Sequence, residues 1–194
     1  MKQFDLFICE WWHWLLNWKH DPWAVGTKTT ERDLNIRYAD TIWTMMQWKA
    51  KLVQGVGITD ALLTKKIDYI KTVVSVNEIN KDNVYGICVH QNASTDKKAK
   101  GFEVWYQSNN PKSKEVAQEI IEAYKRYFPE NKIRWIFASK TNRLWGLYID
   151  NLPWTFILTE WGFISNPEEQ DFLINNVDRL SECICNGLMT YIRK

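Results

Sequence analysis

The chain lacks any long uninterrupted apolar segment. No window approaches the roughly 18 to 20 uncharged apolar residues that a membrane-spanning helix needs. The amino-terminal stretch MKQFDLFIC carries an aspartate and has no extended apolar core, so it does not resemble a secretory signal peptide. We therefore expect synthesis in the cytoplasm without a signal peptide, and no membrane span.

A strong charge of either sign is also missing. The 194 residues include 25 Lys and Arg against 23 Asp and Glu, which gives a net charge of +2, and the basic residues are dispersed along the chain. Nucleic-acid binding needs a concentrated positive surface. The composition therefore indicates no nucleic-acid partner.

Paired cysteines of the CxxC type are absent. The four cysteines are Cys9, Cys88, Cys183 and Cys185, and two of them lie within apolar runs typical of buried strands. Metal-binding and redox-active cysteines usually occur at close, regular spacings. We interpret these four as buried structural thiols.

Short apolar runs alternate with segments of helical periodicity. Buried strands are predicted at Phe4–Cys9, Val84–His90 and Phe156–Thr159, and a more exposed strand at Gly101–Tyr106. Helices are predicted from Glu31 to about Lys51 and at Leu62–Ile79 and Lys114–Tyr127, and one or two closing helices from Pro167 to Arg193. This order predicts a single α/β domain over residues 1–194, with a mostly parallel twisted sheet covered by helices on both faces.

Four polar residues have local contexts that suit a catalytic site. His13 follows the first predicted strand, His90 and Glu160 end two later strands, and Glu31 opens the first long helix. In an open α/β sheet, functional sites gather outside the carboxyl ends of the strands. Each residue alone also suits a structural role, such as a hydrogen-bonded histidine or a glutamate at a helix start.

Three segments resemble a known enzyme family. VHQNAS at 89–94, GFEV at 101–104 and TEWGFISNPEE at 159–169 are similar to signature segments of zinc-dependent N-acetylmuramoyl-L-alanine amidases, which include phage endolysins and bacterial autolysins. The resemblance extends over nearly the whole chain, and the last segment is the most specific. It implies hydrolysis of the amide between the lactyl group of N-acetylmuramic acid and L-alanine in peptidoglycan.

The resemblance also implies a role for each of the four polar residues. His13, Glu31 and His90 would be the ligands of a catalytic Zn²⁺, since three protein ligands leave the fourth position open. Glu160 would be the catalytic acid and base. Glu31 stands where the family has a glutamate in Glu-x-Asp, and His90 where it has the histidine of His-x-Asn-Ala.

Further residues are candidates for the substrate side of the site. Asn92 either holds its loop or meets substrate, Glu103 is placed along the groove, and Arg134 lies in a segment similar to the family's Arg-Gly-Ile. That arginine would position a carboxylate of the peptide. Trp105 and Tyr106 either stack on sugars or pack inside the domain, and packing is the favoured interpretation.

Two other functions remain open from the sequence. A non-catalytic peptidoglycan- or carbohydrate-binding module would not need Glu160, and a zinc peptidase would cut within the stem peptide instead. We expect a monomer with no separate wall-binding domain, because no linker or repeat marks one. A phage lysin released through a separate membrane pore is favoured over a cellular autolysin.

The main departure from the family is tryptophan at positions where glycine or another small residue is usual. These positions are Trp12, Trp14, Trp23, Trp135, Trp145, Trp154 and Trp161, among 12 tryptophans in all. Glycine permits positive φ and close backbone approach, and tryptophan permits neither. One interpretation is an aromatic groove for sugars. The other interpretation, which we favour, is that UGA codons encode these positions. The source lineage reads such codons as glycine, whereas here they are translated as tryptophan.

Overall fold

A sheet of mostly parallel strands organises the domain. The computed structural model describes residues 4–10, 24–56, 63–141 and 149–194. Within these ranges the strands are β1 (Phe4–Glu10), β2 (Ala50–Val56), β3 (Val84–Asn92), β4 (Phe102–Tyr106), β5 (Ile133–Ala138) and β6 (Thr155–Phe163). They form one sheet in the order β2-β1-β3-β6-β4-β5. The β4–β6 pair is antiparallel, and the other pairs are parallel.

Helices in the described ranges connect and cover these strands. They are α1 (Glu31–Met46), α2 (Leu63–Val76), α3 (Pro111–Tyr127), α4 (Pro167–Asn175) and α5 (Val177–Arg193). Thr30, Asn110 and Asn166 cap α1, α3 and α4 through their side-chain oxygens. None of these helices is long and apolar enough to cross a membrane.

The sheet has an apolar layer on each face. Residues of α1, α3 and α5 pack with Phe7, Ile87 and Ile157 on one face. On the other face, α2 packs with Ile8 and Leu158. The predicted α/β fold, with a mostly parallel sheet between two helical layers, is confirmed. The four cysteines form no disulfide and are buried, as expected of structural thiols.

The region after α1 differs from the prediction. The helix predicted to about Lys51 ends at Met46, and β2 begins at Ala50. This strand lies at the edge of the sheet, where Val53 is buried beside an exposed Lys51. An edge strand buries only part of its length, so its alternation is too short to stand out from the helical pattern that precedes it.

Two further strands differ from the prediction. β4 was predicted to be more exposed, yet Phe102–Trp105 is buried because β4 lies between β6 and β5 rather than at an edge. The neighbouring β5, which completes that side of the sheet, was not predicted as a strand. β3 and β6 also continue past His90 and Glu160, to Asn92 and Phe163.

Three of the tryptophans at glycine-like positions lie in the described ranges. Trp154 and Trp161 are buried, whereas Trp135 is 69% exposed. None of the three has a positive φ, so their backbone conformations do not call for glycine. Trp12, Trp14, Trp23 and Trp145 lie outside the described residues. The codon interpretation remains a prediction.

Candidate active site

Three polar residues form a row across neighbouring strands. His90 on β3 is paired in register with Glu160 on β6, and Glu160 is paired with Glu103 on β4. Each lies two positions along its strand from a residue of the apolar layer that contains α2. These residues are Cys88, Leu158 and Trp105, respectively. Because side chains alternate along a strand, all three share that face of the sheet. All three are also buried.

Glu31 approaches His90 from the start of α1. Its Oε1 accepts a hydrogen bond from the backbone N–H of Gln91 at 3.0 Å, and its Oε2 accepts one from Ala24 at 3.2 Å. The same Oε1 lies 3.3 Å from Nδ1 of His90. Helix capping by Thr30 places this glutamate at the first helical position, and its carboxylate is turned inward against β3.

The Glu31–His90 pair fits two ligands of a zinc ion. Two ligand atoms about 2.0 Å from a tetrahedral Zn²⁺ lie about 3.3 Å apart, which matches the observed separation. Imidazole nitrogen and carboxylate oxygen are also the donors that zinc accepts. The third predicted ligand, His13, lies outside the described residues. Within the described part of the chain, no group of three or more suitable side chains is assembled.

Glu160 is a buried acid with a strongly raised pKa. Its side chain is 4% exposed, and Oε2 has no hydrogen-bond partner among the described residues. Burial raises the pKa of this carboxyl well above its usual value, and the charges of Glu31 and Glu103 raise it further. A buried carboxylate oxygen without a partner is costly. Such a group is suited to exchanging a proton with a bound molecule.

Both carboxylate oxygens of Glu103 have polar partners. Its Oε1 forms an ion pair with Nε of Arg134 at 2.5 Å, and its Oε2 accepts a hydrogen bond from Nδ2 of Asn92 at 3.3 Å. The Arg134 guanidinium also lies over the ring of Phe163, 4.9 Å from its centroid. Glu103 therefore contacts both of the other predicted substrate-side residues and is paired in the sheet with Glu160. Whether they meet substrate remains a prediction.

Two irregularities in strand register accompany the contacts of Glu103 with Arg134 and Asn92. In the β4–β5 pair, Phe102 is opposite Ile133 but Glu103 is opposite Trp135, so Arg134 is an extra residue. In the β3–β6 pair, the register shifts between His90 and Asn92. Bulges redirect side chains and are common beside active sites. No pattern in the sequence indicated either one.

Glu169 is a further residue that the sequence did not single out. Its Oε2 accepts hydrogen bonds from the backbone N–H groups of Gly101 and Phe163, each at 2.9 Å. It thus ties the first turn of α4 to the start of β4 and the end of β6. Burial raises the pKa of this carboxyl, although both hydrogen bonds and nearby cations oppose the shift. Its place in the SNPEE segment was the available signal.

Trp105 packs inside the domain rather than forming a sugar platform. Its ring is buried and stacks on Phe137, with the ring centroids 4.4 Å apart. The packing interpretation is therefore confirmed for this residue. Tyr106 is partly buried at the end of the same strand and packs against the other apolar layer.

Comparison with known proteins agrees with this fold. The family model described as N-acetylmuramoyl-L-alanine amidase matches residues 19–190. The chain belongs to the N-acetylmuramoyl-L-alanine amidase family. A search of curated proteins finds no match.

Several solved structures share the fold. The amidase AmiC2 of Nostoc punctiforme is 16% identical with a TM-score of 0.73, over 100% of each chain. CwlD from Clostridioides difficile, solved in complex with the GerS lipoprotein, is 21% identical with a TM-score of 0.73, over 97% of this chain and 98% of that one. The catalytic domain of CD27L, an endolysin targeting Clostridia difficile, is 23% identical with a TM-score of 0.69, over 95% and 97%.

Proposed function

We propose that the protein is a zinc-dependent hydrolase of the amide between N-acetylmuramic acid and L-alanine in peptidoglycan. Family membership supports the reaction class. The observation that carries the mechanism is the placement of Glu160 directly beside His90 in the sheet, as a buried carboxyl with one oxygen that no described residue hydrogen-bonds. A binding module would have no use for such a costly group.

Glu31 and His90, together with His13, are the residues that would hold the zinc ion. Bound Zn²⁺ supplies a water of lowered pKa and polarises a carbonyl oxygen. The chain's own contribution here is orientation. Two backbone N–H groups hold the Glu31 carboxylate, at Ala24 and Gln91, so that its Oε1 faces the ring of His90.

Glu160 would move the proton that amide cleavage requires. Its carboxylate accepts a proton from the attacking water, and the resulting carboxyl donates that proton to the nitrogen that leaves with the peptide. An amine is a poor leaving group unless it is protonated, so the two transfers are coupled through one residue. Its Oε2, which has no hydrogen-bond partner within the described ranges, leaves an acceptor position for this exchange.

Asn92, Glu103 and Arg134 would form the substrate side of the site. Glu103 has one oxygen on Arg134 and the other on Asn92. It would therefore hold those two side chains in place, while they face the peptide. Glu103 is paired with Glu160 in the sheet, so this network would lie next to the scissile bond.

The biological setting that we propose is cell-wall lysis or remodelling by a monomer. Peptidoglycan would be its only macromolecular partner. An endolysin role, with release through a phage pore, is supported by the likeness to the catalytic domain of an endolysin. The likeness to bacterial amidases supports a cellular role equally at the level of the fold.

Purified peptidoglycan provides the test. The zinc-loaded protein should release stem peptides with free amino-terminal L-alanine, identified by mass analysis, and a chelator should stop the release. Glu160→Gln should lower the rate by at least about 100-fold, while Glu168→Gln, an exposed glutamate of α4, should not. Cuts within the stem peptide would indicate a peptidase. Wall binding without cleavage would indicate a binding module.

A further inference from the structure

We propose that Arg134 recognises a free carboxylate on the second residue of the stem peptide, so that the enzyme prefers walls in which this group is not amidated. The inference rests on the proposed function and extends it to a substrate class. It depends on the order of side chains across the sheet, on the N–H groups of Arg134 that have no partner among the described residues, and on the length of the peptide.

The order of side chains sets the direction of the substrate. Along the sheet lie His90 on β3, Glu160 on β6 and Glu103 on β4, and Arg134 on β5 contacts Glu103. Glu160 must reach the leaving nitrogen. The acyl part and the peptide extend in opposite directions from that nitrogen. With the acyl part beside Glu31 and His90, the peptide crosses Glu103 toward Arg134.

Arg134 retains hydrogen-bond donors for a ligand. Its Nε faces Glu103 and its guanidinium plane rests on Phe163. Among the residues that the structure describes, neither terminal nitrogen has a hydrogen-bond partner, and 34% of the side chain is exposed. The two terminal N–H groups form a fork that matches the oxygens of a carboxylate. Because the buried Glu103 carboxylate lies against the Nε side of the guanidinium, it orients this fork without occupying it.

The peptide has the length to reach this position. Neighbouring strands lie about 4.8 Å apart, so β5 is roughly 10 Å from β6. Two extended residues span about 7 Å, and the Arg134 side chain reaches back from β5 to Glu103. A carboxylate on the second residue therefore meets the arginine, whereas the first residue, L-alanine, lies over Glu103. Amidation of that carboxylate removes its charge and one of the two acceptor oxygens.

The test compares matched walls that differ only at this group. Purified peptidoglycan with a free α-carboxyl on the second stem residue is digested beside the same peptidoglycan amidated there, and the release of L-alanine termini is measured. The wild type should prefer the free acid by roughly 10- to 100-fold in kcat/KM. Arg134→Gln should bring the ratio near one, and Arg134→Lys should keep part of it. Arg126→Gln, an exposed arginine of α3, should keep the full ratio.

A binding measurement separates recognition from catalysis. The Glu160→Gln protein should bind the isolated stem peptide with a free carboxyl more tightly than its amide, and adding Arg134→Gln should abolish the difference. Equal cleavage of both walls by the wild type would overturn the inference and leave the proposed function standing. The inference also fails if Arg134→Gln slows both substrates equally and keeps the ratio. Failure to cut either wall would overturn the proposed function itself.

Discussion

Glu103 and Glu160 lie directly opposite each other across the antiparallel β4–β6 pair, yet their surroundings differ. Glu103 has Arg134 and Asn92 as partners. Glu160 has an oxygen without any hydrogen-bond partner among the described residues. One carboxylate is thus compensated and the other is left available, although the two are neighbours on one face. This difference supports the proposal that Glu160, rather than Glu103, is the catalytic acid.

This relationship predicts unequal costs for removing the two members of the ion pair. Arg134→Gln leaves two buried carboxylates facing each other without a cation, whereas Glu103→Gln removes one of them. The free energy of unfolding should therefore fall further for Arg134→Gln. The double variant should show a coupling of about 0.5 to 3 kcal/mol. Urea unfolding of the four proteins measures this, and additive effects would argue against the pair.

Part of this site could be predicted from the sequence. The apolar runs of β3 and β6 lead into His90 and Glu160, and the capping pattern places Glu31 at a helix start, so local signals indicated where these residues lie. Their assignment to one site came from the family resemblance and remains a prediction. The contact of Glu103 with Arg134 could not be predicted, because it depends on an antiparallel β4 inside the sheet and on a shifted register with β5. Strand order and bulges arise from packing between distant segments, which periodicity does not encode.

Substitution of Gly101 should lower the free energy of unfolding and also disturb the site. Its φ is +118°, and an added Cβ would lie 2.9 Å from Cγ of Arg134 and 2.9 Å from the carbonyl oxygen of Lys132. Gly101→Ala should therefore cost about 1 to 3 kcal/mol and displace Arg134.

Gly187→Ala is the matched control for that variant. Its Cβ would lie 2.8 Å from Cα of Ile120, between α5 and α3, and should cost a similar free energy without touching the site. Thermal unfolding together with wall digestion compares the two variants. We expect a loss of activity at permissive temperature for Gly101→Ala alone. Equal activity of both folded variants would contradict the coupling.

The buried cysteines predict slow thiol chemistry in the folded protein. Burial raises the pKa of Cys183 to about 12 and that of Cys185 to about 12, and it also raises the pKa of Cys9. Because the thiolate is the reactive form, the native protein should stay unreactive toward an aromatic disulfide between pH 7 and 9. All four thiols should react after unfolding in guanidinium. Rapid labelling of the native protein would contradict this burial.

Two tryptophans provide a direct test of whether glycine is the natural residue at such positions. Trp161 is buried, its ring lies 4.3 Å from that of Tyr38, and its Nε1 donates to Oγ1 of Thr159. Trp161→Gly should therefore leave a cavity and cost about 3 to 5 kcal/mol. Trp135 is exposed on β5, so Trp135→Gly should cost no more than about 1 kcal/mol. Urea unfolding of both variants checks these values.

The stability measured for each of these two variants tests the codon interpretation at that position alone. A Trp161→Gly protein as stable as the parent, or more stable, would mean that the core was built around a small residue, as the codon interpretation requires. A large loss would mean that the indole belongs to the packing between α1 and β6, where it contacts Tyr38. The coding DNA gives an independent answer, because a TGG codon at 161 or 135 excludes misreading at that position whatever the stability shows.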